Sequence, residues 1–274
     1  MINKMKGFPR CYVVNLEESA DRREYMTNEF RKLGINDSVI LRHRRLEDNS
    51  EGFLNIVGDP ELLKILPLGA TTSHLLSIKW WYENTDEEMA AFFEDDCDFS
   101  TIQYWNFNFE DYLKKFGVLW DALQLCVMHE GWPVMYPRHR LGWDHGLQCY
   151  IIKRHYAKKL IDYYFLDDNT INFEKMPYTL RSHEPRRYKP TIENVIYGLG
   201  IVYIHPLFNH NISFSSTVHD ASAKDLQQVA EKSYNYVKKW WEGKGNSSTL
   251  EQIFDYEYCC PPGQMYGGVL HIDR

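Results

Sequence analysis

No run of about 18 apolar residues, the length a membrane-spanning helix requires, occurs anywhere in the sequence. Its opening, MINKMKGFPRCYVVNL, is basic but holds no apolar core of signal-peptide length before the first strand candidate. Neither export nor membrane insertion is therefore expected. Cysteine is sparse: Cys11, Cys97, Cys126, Cys149, Cys259 and Cys260 are too scattered for a disulfide framework, and no C-x-x-C pair suggests zinc. HExxH is missing, and the 11 histidines follow no zinc spacing. There is no P-loop, and Gly198-x-Gly200 meets Tyr203 where a dinucleotide fingerprint needs its third glycine. Without a G-x-S-x-G elbow a serine hydrolase has no anchor. An EF-hand beginning at Asp96 fails, since Thr101 and Phe107 stand where glycine and glutamate belong. Internal repeats, low-complexity segments and obvious linkers are absent too. The expectation is a cytoplasmic protein with six free thiols.

What is present suits a packed core. The chain has 274 residues, 44% of them hydrophobic and 15% aromatic, enough for one large α/β domain. Net charge is −7, from 38 acids against 31 bases, which argues against nonspecific nucleic-acid binding. The clusters Arg42, Arg44, Arg45 and Arg181, Arg186, Arg187 read as solvated surface.

Apolar runs predict strands at Cys11–Asn15, Ser38–Leu41, Met89–Phe93, Asp121–Met128, Leu147–Lys153 and Ile201–Ile204. Between them, helical spacing predicts a helix capped by Ser19 and ended by Gly34, then others over Thr72–Tyr82, Asn108–Phe116, His155–Phe165 and Thr191–Tyr197. Ser222-x-x-Asp225 resembles a capping box for a last helix reaching Gly243. Residues 44–68, 129–146 and 166–190 read as irregular, and the final 30 or so residues as an aromatic tail. Strands alternating with helices imply a mainly parallel sheet covered on both faces, with ligands bound beyond the strands' carboxyl ends.

One such end is crowded with charge. MAAFFEDDCDFS, residues 89–100, places Glu94, Asp95, Asp96 and Asp98 directly after an apolar strand. On an extended chain Glu94, Asp96 and Asp98 would share one face. Oxygen-only ligands suit a hard cation, Mn2+ or Mg2+, which in turn could bind a diphosphate. A solvated acidic turn is the plain alternative.

Three segments in order resemble family 25 glycosyltransferases, the lipooligosaccharide and procollagen galactosyltransferase group. YVVNLEESADRREYM at 12–26 is similar to that family's opening, Gly69–His74 keeps its Ser-His, and AAFFEDDCDF is similar to its acidic strand end. CYIIKRHYAKKL at 149–160 adds a fourth likeness. The resemblance covers residues 10–165 and weakens towards 220. It implies a GT-A type, Rossmann-like fold over residues 1–220, with residues 221–274 packed on the same domain as a helix and tail. It further implies an inverting transfer from a nucleotide-sugar donor, usually a UDP-sugar such as UDP-galactose or UDP-glucose, with a divalent metal. The acceptor would be a glycan, a lipid-linked sugar or a protein hydroxyl.

Carried onto these positions, the resemblance makes Asp96 the first metal ligand, with Asp98 in reach, and gives Asp95 to the donor's ribose. Glu94 belongs to the same motif. Asn15 and Leu16 would line the nucleotide pocket, and Arg22 or Arg23 would pair with phosphate or form a helix-surface salt bridge. His74 is read as a packing or capping group or as an acceptor contact. Trp132, Trp143 and His145 form the loop best suited to an acceptor sugar. Glu193 or Asp144 would take the acceptor proton, and one of His205, His210 and His219 could complete the metal shell. The rival readings are a nucleotide-sugar hydrolase at the same site and a carbohydrate-binding protein on a decayed transferase scaffold.

Overall fold

The computed structural model describes residues 2–46, 52, 54–129, 133–142, 144–174, 191–214 and 223–260, with short strand pieces at 265–266 and 269–270. In chain order the first elements are β1 (Cys11–Leu16), α1 (Ala20–Leu33), β2 (Ser38–His43), β3 (Asn55–Val57), α2 (Pro60–Ile65) and α3 (Leu68–Asn84). Then come β4 (Met89–Glu94), β5 (Cys97–Asp98), a 3-10 turn at Ser100–Tyr104, α4 (Phe109–Lys115), β6 (Ala122–Cys126), β7 (Arg138–His139) and β8 (Cys149–Lys153). The chain continues through α5 (Arg154–Tyr164), β9 (Phe165–Asp167), β10 (Thr170–Asn172), α6 (Ile192–Tyr197), β11 (Val202–His210) and α7 (Ala223–Glu242). It closes with α8 (Leu250–Ile253), α9 (Tyr256–Cys259) and the pair β12 (Met265–Tyr266) and β13 (Val269–Leu270).

The main sheet runs β2-β1-β4-β8-β6-β11-β5, with β7 also pairing β11. Strands β2, β1, β4, β6 and β11 point one way, and β8 lies between β4 and β6 antiparallel to both. The architecture is mixed α/β and Rossmann-like, with a reversed strand inside the sheet that the expected mainly parallel pattern did not contain. Strand periodicity of two explains why the apolar runs are nearly continuous. Cys11, Val13, Ala91, Phe93, Cys149 and Ile151 face one core with Phe30, Tyr112 and Trp241. The alternate residues Tyr12, Val14, Ala90, Phe92, Tyr150 and Ile152 face the other with Ile78, Trp81 and Leu160. Helices α1, α4 and α7 cover the first face and α3, α5 and α6 the second.

Several local expectations change. Residues 44–68 are not all irregular: Asp59 accepts the Glu61 N–H at 2.8 Å and Pro60 starts α2, while Asn55–Val57 pairs with β10. α3 begins four residues earlier than Thr72. The hydroxyls of Thr71, Thr72 and Ser73 bond back to carbonyls of the preceding turn, so Ser73 is inside the helix and caps nothing. Ser19 stands at the N-cap of α1 without a side-chain cap bond, whereas Gly34 ends that helix at φ 72°, the left-handed conformation glycine tolerates. β9 and β10 occupy part of 166–190, and β7 part of 129–146. β11 runs on to His210, six residues past Ile204. Ser222 and its proposed capping box lie outside the described residues. α7 lays Val237 and Trp241 into the first core, with Trp241 Nε1 donating to the Pro206 carbonyl at 2.9 Å. No helix among the described residues is long and apolar enough to cross a membrane.

All six cysteines are buried as free thiols. Burial pushes Cys97, Cys126 and Cys149 well above the usual thiol range, so they are slow nucleophiles. Thiol titration should find all six after denaturation without reductant and almost none reacting quickly in the folded protein. A reproducible shortfall of one pair would mean a disulfide instead.

Candidate functional site at the carboxyl pole of the sheet

The carboxyl ends of β1, β4 and β11 and the start of the reversed β8 meet at one pole. This brings Asn15, Glu94, Gln148 and His210 together from positions far apart in the chain. The chain does not stay extended after Glu94. It turns through Asp95 and Asp96, then enters β5, where Cys97 and Asp98 pair with His210 and Asn209. The acids therefore do not alternate between faces as a strand would place them.

Arg22, in the first turn of α1, is buried against this turn. Its guanidinium donates to Asp95 Oδ1 at 2.8 Å and reaches Asp96 Oδ2 at 3.4 Å, with the Phe214 ring 5.0 Å away. Asp95 Oδ2 accepts from Asn15 Nδ2 at 2.6 Å. Each oxygen of Asp95 thus accepts from a protein donor, where the resemblance gave it to a ribose. Arg22 meets protein carboxylates where a phosphate or surface partner was expected. Arg23 donates to Asn15 Oδ1 at 2.9 Å and to the Leu16 and Glu17 carbonyls at 3.1 and 2.6 Å. It ties down the loop after β1.

Asp96 differs from its neighbour. Its Oδ1 is buried with no hydrogen-bond partner among the described residues, and so is His210 Nδ1, which lies 3.7 Å from Asp96 Oδ2. Asp98 turns away to bond the N–H and hydroxyl of Ser100, the backbone bond being 2.9 Å. Of the three histidines set aside as metal ligands, His210 is at the pole. His205 is buried elsewhere, bonded through Nδ1 to the Tyr112 hydroxyl at 3.0 Å, and His219 is outside the described residues. Among the described residues no three His, Cys, Asp or Glu side chains form a ready-made metal cage.

Glu94 accepts from Gln148 Nε2 at 2.7 Å and lies 3.4 Å from His74 Nε2. His74 Nδ1 in turn pairs with the Tyr150 hydroxyl at 2.8 Å. With only 1% of its surface exposed, His74 supports Glu94 from inside and cannot touch an acceptor directly. Burial lowers His74 to about 4 against the opposing fields of Glu193 and Asp95, so its ring is neutral. Burial likewise lifts the acids: Glu94 reaches about 7, with Asp95 and Glu193 adding to the rise while His210 and Arg22 oppose it. Asp95 and Asp96 are raised by burial too, against Arg22 and His210 respectively.

The two residues expected to take a proton sit in different surroundings. Asp144 is fully buried and both its oxygens accept from Arg138, at 2.6 and 2.8 Å, while Oδ2 also accepts the Leu141 N–H at 2.6 Å. It braces a loop. Glu193, in the first turn of α6, accepts the Gly146 N–H at 2.9 Å and lies 3.7 Å from His145 Nδ1. Burial alone would raise Glu193, but His145, the Gly146 N–H and Arg140 outweigh it and hold the carboxyl at about 2. Gly146 has φ 117°, and a Cβ there would stand 2.9 Å from the Cys126 carbonyl, so only glycine lets this loop approach β6. Trp132 and Trp143 lie outside the described residues. Gln148 and Arg140 escaped the sequence reading. A polar residue near the start of an apolar strand was the available signal for Gln148.

No protein-family model matches the chain, and no curated protein matches it. Among solved structures it is similar to A197 from STIV, at 13% identity and a TM-score of 0.42, over 74% of this chain and 84% of that one. HddC from Yersinia pseudotuberculosis is similar at 10% identity and a TM-score of 0.31, over 83% and 80% of the two chains. Likenesses this remote carry no functional argument, and the site has to be read from its own residues.

Two outcomes test this geometry. Asp144→Asn breaks a buried two-pronged ion pair and should cost about 3–5 kcal/mol, read as a lower urea midpoint. An unchanged midpoint would contradict the bracing role. For Glu94, the folded pKa of about 7 lies above the ordinary 4.5, so the folded state binds that proton more tightly. The stability this contributes is complete below the unfolded value and is lost as pH rises through about 7. In chelator, Glu94→Gln should therefore melt above wild type at about pH 8 and level with it near about pH 4. An equal offset at both values would exclude the carboxyl as its cause.

Proposed function

We propose that this chain is a metal-dependent sugar transferase of GT-A type, akin to family 25, using a nucleotide-diphosphate donor. A UDP-sugar such as UDP-galactose or UDP-glucose is the donor we favour, and a glycan, lipid-linked sugar or protein hydroxyl the acceptor. The observation that carries the reading is the neighbouring pair Asp96 and His210 at the carboxyl pole of a Rossmann-like sheet: Asp96 Oδ1 and His210 Nδ1 are buried without partners among the described residues, and His210 Nδ1 lies 3.7 Å from Asp96 Oδ2. Orphaned buried polar atoms are costly unless something satisfies them. The carboxylate oxygen suits Mn2+ or Mg2+, and the imidazole nitrogen beside it favours the transition metal of the two.

Asp96 and His210 would hold the cation, and its remaining ligands would come from diphosphate and water. Such a cation supplies charge neutralisation for a departing diphosphate. The chain's own residues do the rest. Arg22 opposes the rise that burial gives Asp95 and Asp96 and holds both in place, Asn15 fixes the end of β1, and His74 and Gln148 orient Glu94. Arg23 sets the loop beside which a nucleotide would lie.

The test is calorimetry of uridine diphosphate with and without manganese. Wild type should show positive coupling between the two ligands, about 1–3 kcal/mol. Asp96→Asn and His210→Ala should each remove most of it, whereas Asp98→Asn, whose carboxylate serves Ser100, should change it little. Equal nucleotide affinity with and without metal in wild type would overturn the reading.

A further inference from the structure

We propose that His145, whose Nδ1 lies 3.7 Å from the Glu193 carboxylate, is the group that takes the proton from the acceptor hydroxyl, and that Glu193 is its positioning residue. This rests on the transferase reading above and assigns the proton step within it. Of the pair, only His145 meets solvent: its side chain is 34% exposed against 8% for Glu193. Among the described residues nothing hydrogen-bonds to its Nε2. Asp96 is given to the cation in that reading, and three other carboxylates nearby already have donors. Arg138 takes both oxygens of Asp144, Arg22 and Asn15 take those of Asp95, and Gln148 with His74 meets Glu94.

The placement of the pair is built from three elements. His145 exchanges backbone bonds with Met128 at 2.8 and 3.1 Å, and its carbonyl also accepts Gln124 Nε2 at 2.9 Å. Arg140 then joins the loop to α6. Its guanidinium donates to Gln124 Oε1 and Asn194 Oδ1 at 3.2 Å each and to the Asp144 carbonyl at 3.0 Å, and it lies 5.1 Å from the Tyr197 ring centre. Asn194 follows Glu193 and Asp144 precedes His145, so the arginine fork sets the spacing of the pair through its nearest neighbours. Glu193 also accepts the Gly146 N–H, which fixes its carboxylate to the same loop. Three charged groups face the His145 ring: Glu193 and Asp144 favour its protonated form and Arg140 opposes it.

In the step itself the hydroxyl proton passes to His145 Nε2 while the oxygen's electron pair forms the new bond to the anomeric carbon. The bond from that carbon to the diphosphate oxygen breaks, and its electron pair leaves on the diphosphate. The imidazolium so formed is stabilised by the Glu193 carboxylate, as a buried acid stabilises a histidine general base. Glu193 itself, held at about 2, is a weak proton acceptor near neutral pH.

The experiment measures transfer from UDP-galactose or UDP-glucose by the full chain across pH, alongside NMR titration of the His145 ring without substrate. Wild-type rate should fall as pH drops through the pKa of His145. His145→Gln should lower kcat at least ~10²-fold, leave the donor KM unchanged and lose that acid limb. Glu193→Gln should keep part of the rate, move the acid limb to lower pH and lower the NMR pKa of His145 in step. If Glu193→Gln abolishes turnover while His145→Gln retains it, Glu193 is the direct base and the proposal falls. Equal losses in both variants with the acid limb unmoved would mean the pair is only structural, and the proposal falls again. A wild type that transfers nothing from either donor overturns the transferase reading itself, and the role of His145 with it.

Discussion

The contact on which the pole depends is Arg22 against Asp95 and Asp96. Carboxylates leaving a buried strand lose hydration and repel one another, and burial does raise the pKa of Glu94, Asp95 and Asp96. A guanidinium at 2.8 Å from Asp95 and 3.4 Å from Asp96 offsets this from inside the protein. Because that arginine comes from the first turn of α1, the geometry of the acids is tied to how α1 docks on the sheet. Met26 and Phe30, farther along the same helix, anchor that docking in the first core. Packing and electrostatics are therefore one arrangement here: an apolar stripe on α1 delivers the cation to the acids.

Around this contact the acids divide their work. Asp95 accepts from Arg22 and Asn15, Asp98 serves the turn at Ser100, and Glu94 rests on Gln148 and His74. Of these four acids Asp96 keeps a buried oxygen, Oδ1, without a partner, and its other oxygen lies 3.7 Å from a His210 nitrogen in the same condition. Other buried polar atoms among the described residues also lack partners, but these two lie close together at the end of the sheet. A second cluster, His145 with Glu193, is braced by Arg140 and Gln124 and feels the same pole, since the Glu193 field reaches both Glu94 and His74.

Strand and helix placement was largely legible from periodicity, because residues such as Cys11–Val14 and Met89–Phe93 are buried on both faces and carry their own signal. The failures have physical causes. Residues 55–65 looked irregular because a three-residue strand and a six-residue helix are too short to show a period, although Asp59-Pro60 was a readable start. β8 read correctly as a strand, yet its reversed direction could not be read, since burial on both faces looks the same in either direction.

By itself the sequence determined the alternating α/β order, the two-sided apolar strands, the absence of a disulfide framework, and the acidic stretch at a strand end. Those properties follow from local periodicity and composition, which act over a few residues. Only the tertiary structure decided which charges meet. Arg22 reaches the acids across 73 residues, Glu193 reaches Gly146 across 47, and His210 closes on Asp96 because β5 pairs with the end of β11. Such pairings depend on strand order and direction, which come from packing the whole sheet between its two layers of helices, and no stretch of sequence carries them alone.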